Sequence, residues 1–203
     1  MKKIISLLIL TFIIQQSIVA QQLVFADLQK NSSITISGTT NIISFKLHQN
    51  GEMLCKNKLS FTTAKSKNNI LLKQNQLIVE VKNFDSNNKM ALKDFLKLLK
   101  VEDYPSLQVQ INYLDTQPIL GKGQNFNGTA SISITITGVK KQYCIPIYLS
   151  HEGENYAING KQKLNIRDFG LVPMTKMMGM IKVNEWIDID FCMVCKLANL
   201  EEI

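Results

Sequence analysis

The chain has 203 residues, a formal net charge of +7 and a hydrophobic content of 45%. This length suits one domain with its own hydrophobic core and is short for two. The positive charge comes almost entirely from scattered lysines, because Arg167 is the single arginine in the sequence. Nucleic-acid-binding domains cluster their basic residues and use arginine for bidentate recognition. The composition therefore argues against a nucleic-acid partner.

The N-terminus has the three-part layout of a secretory signal peptide. Lys2 and Lys3 form a positive end, a short apolar run follows, and Ala20 offers a small residue at a cleavage point. The apolar run is short for a helix that crosses a bilayer, although an uncleaved anchor is the alternative. We predict a signal peptide at residues 1–20, one mature domain at 21–203, and a periplasmic or secreted protein.

Alternating apolar and polar residues predict strands along most of the mature chain. The clearest case is Ile132, Ile134 and Ile136, which alternate with serine and threonine. Such a large antiparallel sheet with one apolar face must close or double over to protect its edges and its core. About eight strands are expected, and the segments with strand patterns are residues 33–49, 53–62, 77–84, 107–113, 131–137, 139–150, 156–166 and 180–196.

One segment, near residues 87–100, is predicted as an amphipathic helix. Asp85 or Ser86 can cap its start. A single amphipathic helix among strands indicates a plug or lid on a closed sheet, and so a container rather than a catalyst. One face of the helix is apolar, and the other carries Lys89, Lys93, Lys97 and Lys100.

The lysine face of this helix has two interpretations. The simpler one is a solvated helix face. The other is a docking surface for anionic head groups, since each lysine near a membrane surface contributes about 1 kcal/mol of attraction. The second interpretation predicts transient contact with a membrane surface.

The four cysteines, Cys55, Cys144, Cys192 and Cys195, allow three disulfide pairings in an oxidising compartment. Strand residues three apart point to opposite faces and lie roughly 10 Å apart, whereas a disulfide needs α-carbons within about 7 Å. A bond between Cys192 and Cys195 is therefore disfavoured. Long-range pairing and buried free thiols both remain open. No metal site and no cofactor are predicted.

Four stretches of the sequence resemble one known family. They are residues 34–41 (ITISGTTN), 90–107 with a Tyr-Pro strand entry, 128–141 with a Thr-Gly hairpin, and 165–171 (NIRDFGL) with 183–187 (VNEWI). In this order they resemble the secreted YceI-like proteins, over nearly the whole mature chain. The opening stretch has Gly-Thr-Thr-Asn where the family commonly has a His-Ser segment.

The resemblance implies a lipocalin-like barrel that holds a polyisoprenoid or similar long-chain lipid. The predicted fold is then mainly β, an antiparallel lipocalin-like barrel of about eight strands with one amphipathic helix near residues 87–100. An eight-stranded barrel can be filled by its own side chains or hold one small ligand. For each inward apolar residue, a place in an ordinary core is the alternative to ligand contact.

The predicted ligand contacts combine inward strand residues, the apolar helix face and the loop 171–180, which contains four methionines. Methionine adapts to irregular apolar partners, which suits a flexible chain entering a pocket. Arg167 can pair with Asp168 or face a polar head group. The predicted contacts are Val79, Val81, Phe95, Leu99, Val109, Ile111, Ile134, Ile147, Arg167, Met174, Met177, Ile189 and Phe191.

Taken together, these patterns predict non-catalytic binding, sequestration or transport of a long apolar lipid in the cell envelope. The lipid is expected to be isoprenoid-like or a fatty chain. No nucleophile elbow, metal-binding run or phosphate loop is present in the sequence, so no enzymatic activity is predicted. The alternative is a filled barrel that acts as an envelope stress or surface interaction module and has no lipid cargo.

Overall fold

A computed structural model describes residues 21–199 except for 57, 67–68, 74 and 116–125. The predicted signal peptide therefore lies outside the described residues. The helices are α1 (Gly51–Leu54) and α2 (Lys89–Leu98), with 3-10 turns at Val81–Asn83, Ile166–Phe169 and Met177–Gly179. The strands are β1 (Gln21–Leu28), β2 (Ser33–Thr39), β3 (Ser44–Asn50), β4 (Lys58–Ser66), β5 (Asn69–Lys73), β6 (Leu77–Glu80), β7 (Ser106–Asp115), β8 (Phe126–Ile136), β9 (Val139–Glu152), β10 (Asn155–Asn165), β11 (Thr175–Lys176), β12 (Ile181–Lys182) and β13 (Trp186–Asn199).

Eight of these strands form a closed antiparallel ring at one end of the molecule, which we call the closed end. Hydrogen-bonded neighbours follow the order β1–β4–β5–β7–β8–β9–β10–β13, and β13 pairs with β1 again. Closure leaves no exposed strand edge in this ring. The predicted mainly-β, eight-stranded antiparallel barrel is thus confirmed.

At the opposite end, β7 and β13 exchange one neighbour for another. There β6 replaces β5 beside β7, and β2 replaces β1 beside β13, with β3 added outside β2. Two backbone hydrogen bonds of 2.8 Å between His48 and Asp85 join β3 to the segment before α2. We call this end, where α2 packs against β2, β3, β7 and β13, the mouth.

At each point where β7 or β13 changes its neighbouring strand, a polar side chain bonds to the backbone that the missing strand leaves unpaired. Asn75 accepts a hydrogen bond from the Ile111 amide (2.6 Å) and donates to the carbonyl oxygens of Ile111 (2.7 Å) and Leu72 (3.0 Å). The Ser32 hydroxyl accepts from the Val194 amide (3.0 Å) and donates to its carbonyl oxygen (3.1 Å). These side chains replace the missing strand, so the buried peptide groups stay paired.

The two walls of the mouth separate between β9 and β10. The ladder between these strands ends at the pair Ile147 and Gly160. The next pair would contain Pro146, which has no amide hydrogen to donate. Beyond that point the turn Ile166–Phe169 packs against β9, with the rings of Tyr143 and Phe169 6.4 Å apart. The walls are therefore β6–β7–β8–β9 on one side and β10–β13–β2–β3 on the other.

Helix α2 lies within the predicted segment near residues 87–100, but its capping residue differs from the two that were predicted. Its N-cap is Asn88, whose side chain accepts from the Ala91 amide at 3.0 Å. The side chains of the two candidates preceding it have other partners. The Asp85 carboxylate accepts from the Ser86 amide and from Lys89 Nζ, both at 2.7 Å, and the Ser86 hydroxyl donates to the Lys46 carbonyl oxygen at 2.6 Å. The predicted caps were therefore wrong by two or three residues. None of the described helices is long and apolar enough to cross a membrane.

Two clusters of buried apolar residues form the core of the barrel. One centres on β8 and β9, and the other on β1, β2, β3 and β6. Because they share neighbours, the two clusters form one continuous core. The half-buried residues that pack against both clusters are Phe95, Leu107, Val109, Ile187, Ile189 and Phe191.

The four cysteines are free thiols, which resolves the pairing left open by the sequence. Cys144 is exposed on β9, whereas Cys195 is buried in the core. Burial raises the pKa of the Cys195 thiol to about 11, and it also raises the pKa of Cys192. The thiolate is the reactive form, so a raised pKa makes a cysteine inert at neutral pH.

We therefore expect iodoacetamide to modify Cys144 in the native protein at pH 8 and to leave Cys195 unmodified. Raising the pH towards 10 should change the labelling of Cys195 little, because its thiolate forms only near the raised pKa of about 11. Peptide mass spectrometry measures both sites. In denaturant the two cysteines should react at similar rates, and equal rates in the native protein would contradict the burial of Cys195.

Candidate apolar ligand site

An apolar cavity of about 200 Å³ lies at the mouth, beneath α2. Both walls and the helix contribute to it, so residues distant in sequence converge there. Phe95 projects from α2 and packs edge-on against Phe84, with ring centroids 5.3 Å apart. The apolar lining residues are Ile36, Ile42, Ile43, Phe45, Leu47, Met90, Ala91, Phe95, Leu98, Leu99, Leu107, Ile136, Ile166, Leu171, Met174, Ile181, Val183, Ile187 and Ile189.

The polar residues that line the cavity use their polar atoms mainly on the backbone. The Thr40 hydroxyl bonds to the backbone of the loop between β2 and β3, and Asn88 caps α2. The Asn184 side chain accepts from the Trp186 amide at 2.9 Å. Asp94 is the single ionisable group in the lining. The cavity therefore offers an apolar guest a surface with few competing polar groups.

Two buried side-chain oxygen atoms among the described residues have no hydrogen-bond partner: Gln49 Oε1 and the Tyr143 hydroxyl. Burial, and secondly the charge of Asp168, raises the pKa of Tyr143. Neither residue lines the cavity. Among the described residues, no group of three or more His, Cys, Asp and Glu side chains is placed to hold a metal ion. The geometry of the cavity is thus suited to apolar binding.

Four of the predicted contacts converge on the cavity: Phe95, Leu99, Met174 and Ile189. They come from α2, the segment before β11, and β13. The others lie apart from its lining, and ligand contact through them stays a prediction. Val79, Val81, Ile134 and Ile147 are buried in the core, while Val109, Ile111 and Phe191 are half-buried against it.

The two remaining predicted contacts lie on the surface at the mouth. Arg167 is exposed and its Nε donates to the Glu185 carboxylate rather than to Asp168. Met177 is exposed at the turn between β11 and β12. Arg167 thus holds the turn that follows β10 against the segment that leads into β13.

Sequence reasoning missed the contributions of Ile42, Ile43, Met90 and Ala91 to the cavity. Ile42 and Ile43 follow Gly-Thr-Thr-Asn, the bend within the predicted strand segment 33–49. Ile43 alternates with Phe45 and Leu47, so its apolar face could be predicted. Ile42 has no periodic pattern that assigns it to a face.

An apolar rim surrounds the opening of the cavity. It joins the loop between β2 and β3 to the hairpin of β11 and β12, because the Asn41 side chain donates to the Met180 carbonyl oxygen and accepts from the Lys182 amide, both at 2.9 Å. Met90 completes it from α2. The residues of the apolar rim, all exposed, are Ile42, Ile43, Met90, Met177, Met178 and Met180.

No family model matches the sequence, and no curated protein matches it. Solved structures do match. A polyisoprenoid-binding domain from Saccharophagus degradans, implicated in plant cell wall breakdown, aligns with a TM-score of 0.59 and 9% identity, over 86% of this chain and 98% of that one. BcnA from Burkholderia cenocepacia aligns with a TM-score of 0.55 and 13% identity, over 83% of this chain and 99% of that one.

A YceI protein from Campylobacter jejuni also aligns, with a TM-score of 0.46 and 13% identity, over 63% of this chain and 72% of that one. The assignment of the fold rests on the first two structures, because this chain aligns with almost the whole length of each. This chain therefore has the lipocalin-like barrel fold of the polyisoprenoid-binding domain and of BcnA, which confirms the YceI-like resemblance at the level of the fold.

Proposed function

We propose that this protein binds part of a long apolar lipid in the mouth cavity and carries it in the cell envelope without chemical turnover. The observation that carries the proposal is the apolar cavity of about 200 Å³ that opens onto the apolar rim. A domain that binds polyisoprenoids shares the fold, which supports an isoprenoid-like cargo. The signal-like segment at residues 1–20 supports a periplasmic or secreted location.

The size of the cavity limits how much of a lipid it holds. An engineered apolar cavity of about 150 Å³ stays dry and binds benzene, so a cavity of 200 Å³ has room for about eight carbon atoms at the same density. That corresponds to one or two isoprenoid units. The rest of a long chain must lie along the rim or beneath a displaced α2.

The energy of binding follows from the same count. About eight sequestered methylenes contribute roughly 6 kcal/mol before the cost of ordering the chain. That free energy corresponds to a dissociation constant of tens of micromolar. Tighter binding therefore requires contacts outside the cavity, and the rim is the surface that adjoins it.

The second candidate function is a surface interaction module with no lipid cargo. The closed end favours it, since Ala26, Leu28, Ala130 and Cys195 are buried there and fill its interior with the protein's own side chains. The two candidates differ in whether the mouth cavity has an occupant.

Organic extraction of the purified protein followed by mass spectrometry tests the proposal. We expect about one apolar lipid per chain. After delipidation, a prenol such as farnesol at about 100 times its dissociation constant should stabilise the fold by about 2.7 kcal/mol and raise Tm by roughly 5–10 °C. A clean extract, with no change of Tm on adding prenols or fatty acids, would favour the interaction module.

A further inference from the structure

We propose that the apolar rim is a membrane-docking surface, which inserts into an anionic bilayer so that the cavity opens towards the lipid. The inference deepens the proposed function by naming the place where cargo is exchanged. It rests on four features of the mouth: exposed apolar side chains, the conformation of the turn that presents two of them, an adjoining tryptophan, and flanking lysines.

The side chains of the rim are apolar but exposed to solvent, so they do not contribute to the buried core. Met178 is fully exposed at the tip of the hairpin between β11 and β12, and Ile42 and Met180 are each 65% exposed. The hydrogen bonds of Asn41 hold the two loops that carry these side chains next to one another. Contiguous exposed apolar residues on a water-soluble surface mark interaction sites.

The turn that presents the methionines is itself unusual. Met177 and Met178 both have left-handed backbone conformations, with φ of 50° and 56°. Positions with left-handed conformations strongly prefer asparagine, aspartate or glycine, because other side chains are strained there. Such strain persists where function requires it. Here the turn keeps two long apolar side chains at the outermost point of the mouth.

A tryptophan and a lysine in contact with each other lie next to the rim. Trp186 is the sole tryptophan of the chain, is 45% exposed, and lies 5.6 Å from Lys163 Nζ, measured to the ring centroid. Trp186, Lys163 and Lys46 line one surface depression together with Asn184, which also lines the cavity. Tryptophan and lysine are the residues that membrane proteins place at the level of the lipid head groups.

Charge favours an anionic bilayer over a second copy of this chain. Lys46, Lys163 and Lys182 are exposed around the rim. Of the nearby carboxylates, that of Glu185 is paired with Arg167, and that of Asp188 lines the same depression as Lys46 and Lys163, which leaves the lysines in excess. Two mouths facing each other would bring these lysines together, whereas anionic head groups attract each of them. Insertion of the methionines and attraction of the lysines therefore act on the same bilayer.

The test uses the full mature chain and vesicles of phosphatidylcholine with about one third phosphatidylglycerol. Co-sedimentation should show binding, and Trp186 fluorescence should shift to shorter wavelength. The variant Met177→Asn/Met178→Gly suits the left-handed turn, so it should fold, yet it removes the apolar tip. We expect it to bind the vesicles about tenfold or more weakly, because both methionines are lost to the bilayer.

The matched control is Tyr148→Ser/Leu197→Ser, which removes two exposed apolar side chains at the closed end and should leave vesicle binding unchanged. The proposal is overturned if the wild-type protein does not bind the vesicles or if the turn variant binds them as tightly as the wild type. It is also overturned if the protein instead forms a dimer in solution through the rim. Loss of binding in Lys93→Gln/Lys97→Gln alone would assign docking to the lysine face of α2 and also overturn it.

Failure of docking and failure of lipid binding are separable. In the absence of vesicles, farnesol should raise the Tm of the turn variant as it does that of the wild type, since neither methionine lines the cavity. A normal shift of Tm without vesicle binding would reject the docking surface and leave the cavity proposal intact. Vesicle binding without any shift of Tm would do the reverse.

Discussion

Replacement of Ala91 by tryptophan is expected to abolish the binding of isoprenoid alcohols while the barrel stays folded. Ala91 lies on α2 and its small side chain lines the cavity. An indole ring there occupies most of the 200 Å³ that a guest needs. Because about eight methylenes lose their site, binding should weaken by a factor of about 100 or more. Calorimetric titration with farnesol measures this loss directly.

The control for this prediction is Lys93→Trp, which adds the same ring to the exposed face of the same helix. It should bind farnesol as the wild type does. Circular dichroism and Tm show whether each variant keeps the fold, and the existing cavity leaves space that limits the cost of overpacking. If Ala91→Trp binds farnesol with unchanged affinity, the mouth cavity is not the ligand site.

Replacement of Asn75 by leucine should lower the free energy of unfolding by about 3 kcal/mol or more. The substitution removes three hydrogen bonds and leaves the amide of Ile111 buried without a partner. Each such unpaired buried group costs about 1–3 kcal/mol. The loss is large beside the total of roughly 5–15 kcal/mol that holds most domains folded. Urea denaturation followed by circular dichroism measures it.

The neighbouring Gln76→Leu is the matched control, since it makes the same kind of exchange at an exposed position. Gln76 bonds to the Gln108 side chain at the surface (2.7 Å), so its loss should change stability by less than about 0.5 kcal/mol. Equal effects of the two substitutions would show that the side chain of Asn75 does not replace the missing strand beside β7.

The overall fold could be predicted because burial of one sheet face imposes a strict alternation. Ile132, Ile134 and Ile136 alternate along β8, and all three are buried in the core. The apolar face of α2 was predictable for the same reason, since helical spacing places Phe95 and Leu99 on one side. Periodicity thus captures the elements that pack against a single layer.

Local irregularities escape this reasoning because they break the period. A bulge at Asn112 shifts the register of β7, so Tyr113 lies opposite Ser131 while Leu114 packs into the core. Strict alternation would put Tyr113 on the face of Ile111, whereas the bulge puts Leu114 there instead. Strand β1 lies outside the predicted segments, because Leu23, Val24, Phe25 and Ala26 form a continuous apolar run rather than an alternation.

The cavity depends on distances that no sequence period encodes. Whether a barrel is hollow is decided by how far α2 lies from the two walls, and side-chain parity is identical in a filled barrel and in an open one. Phe95 and Ile189 were correctly predicted to face the interior. That both line a cavity, instead of packing against each other, is visible only in the three-dimensional structure. Apart from Met90 on α2, the rim residues lie in loops and turns, where periodicity gives little information.

The unequal joining of the two walls gives the molecule a hinge. At the closed end the strands form an uninterrupted ring, whereas at the mouth the ladder between β9 and β10 stops beside Pro146. The opposite side of the mouth is joined by the two hydrogen bonds of His48 and Asp85 and by the bond from the Ser86 hydroxyl to the Lys46 carbonyl oxygen. The closed end is therefore stiff, and the two walls of the mouth can move apart more easily. Separating the two walls of the mouth breaks far fewer hydrogen bonds than unfolding the closed end. A bulky ligand can therefore enter the mouth while the closed ring of strands stays intact.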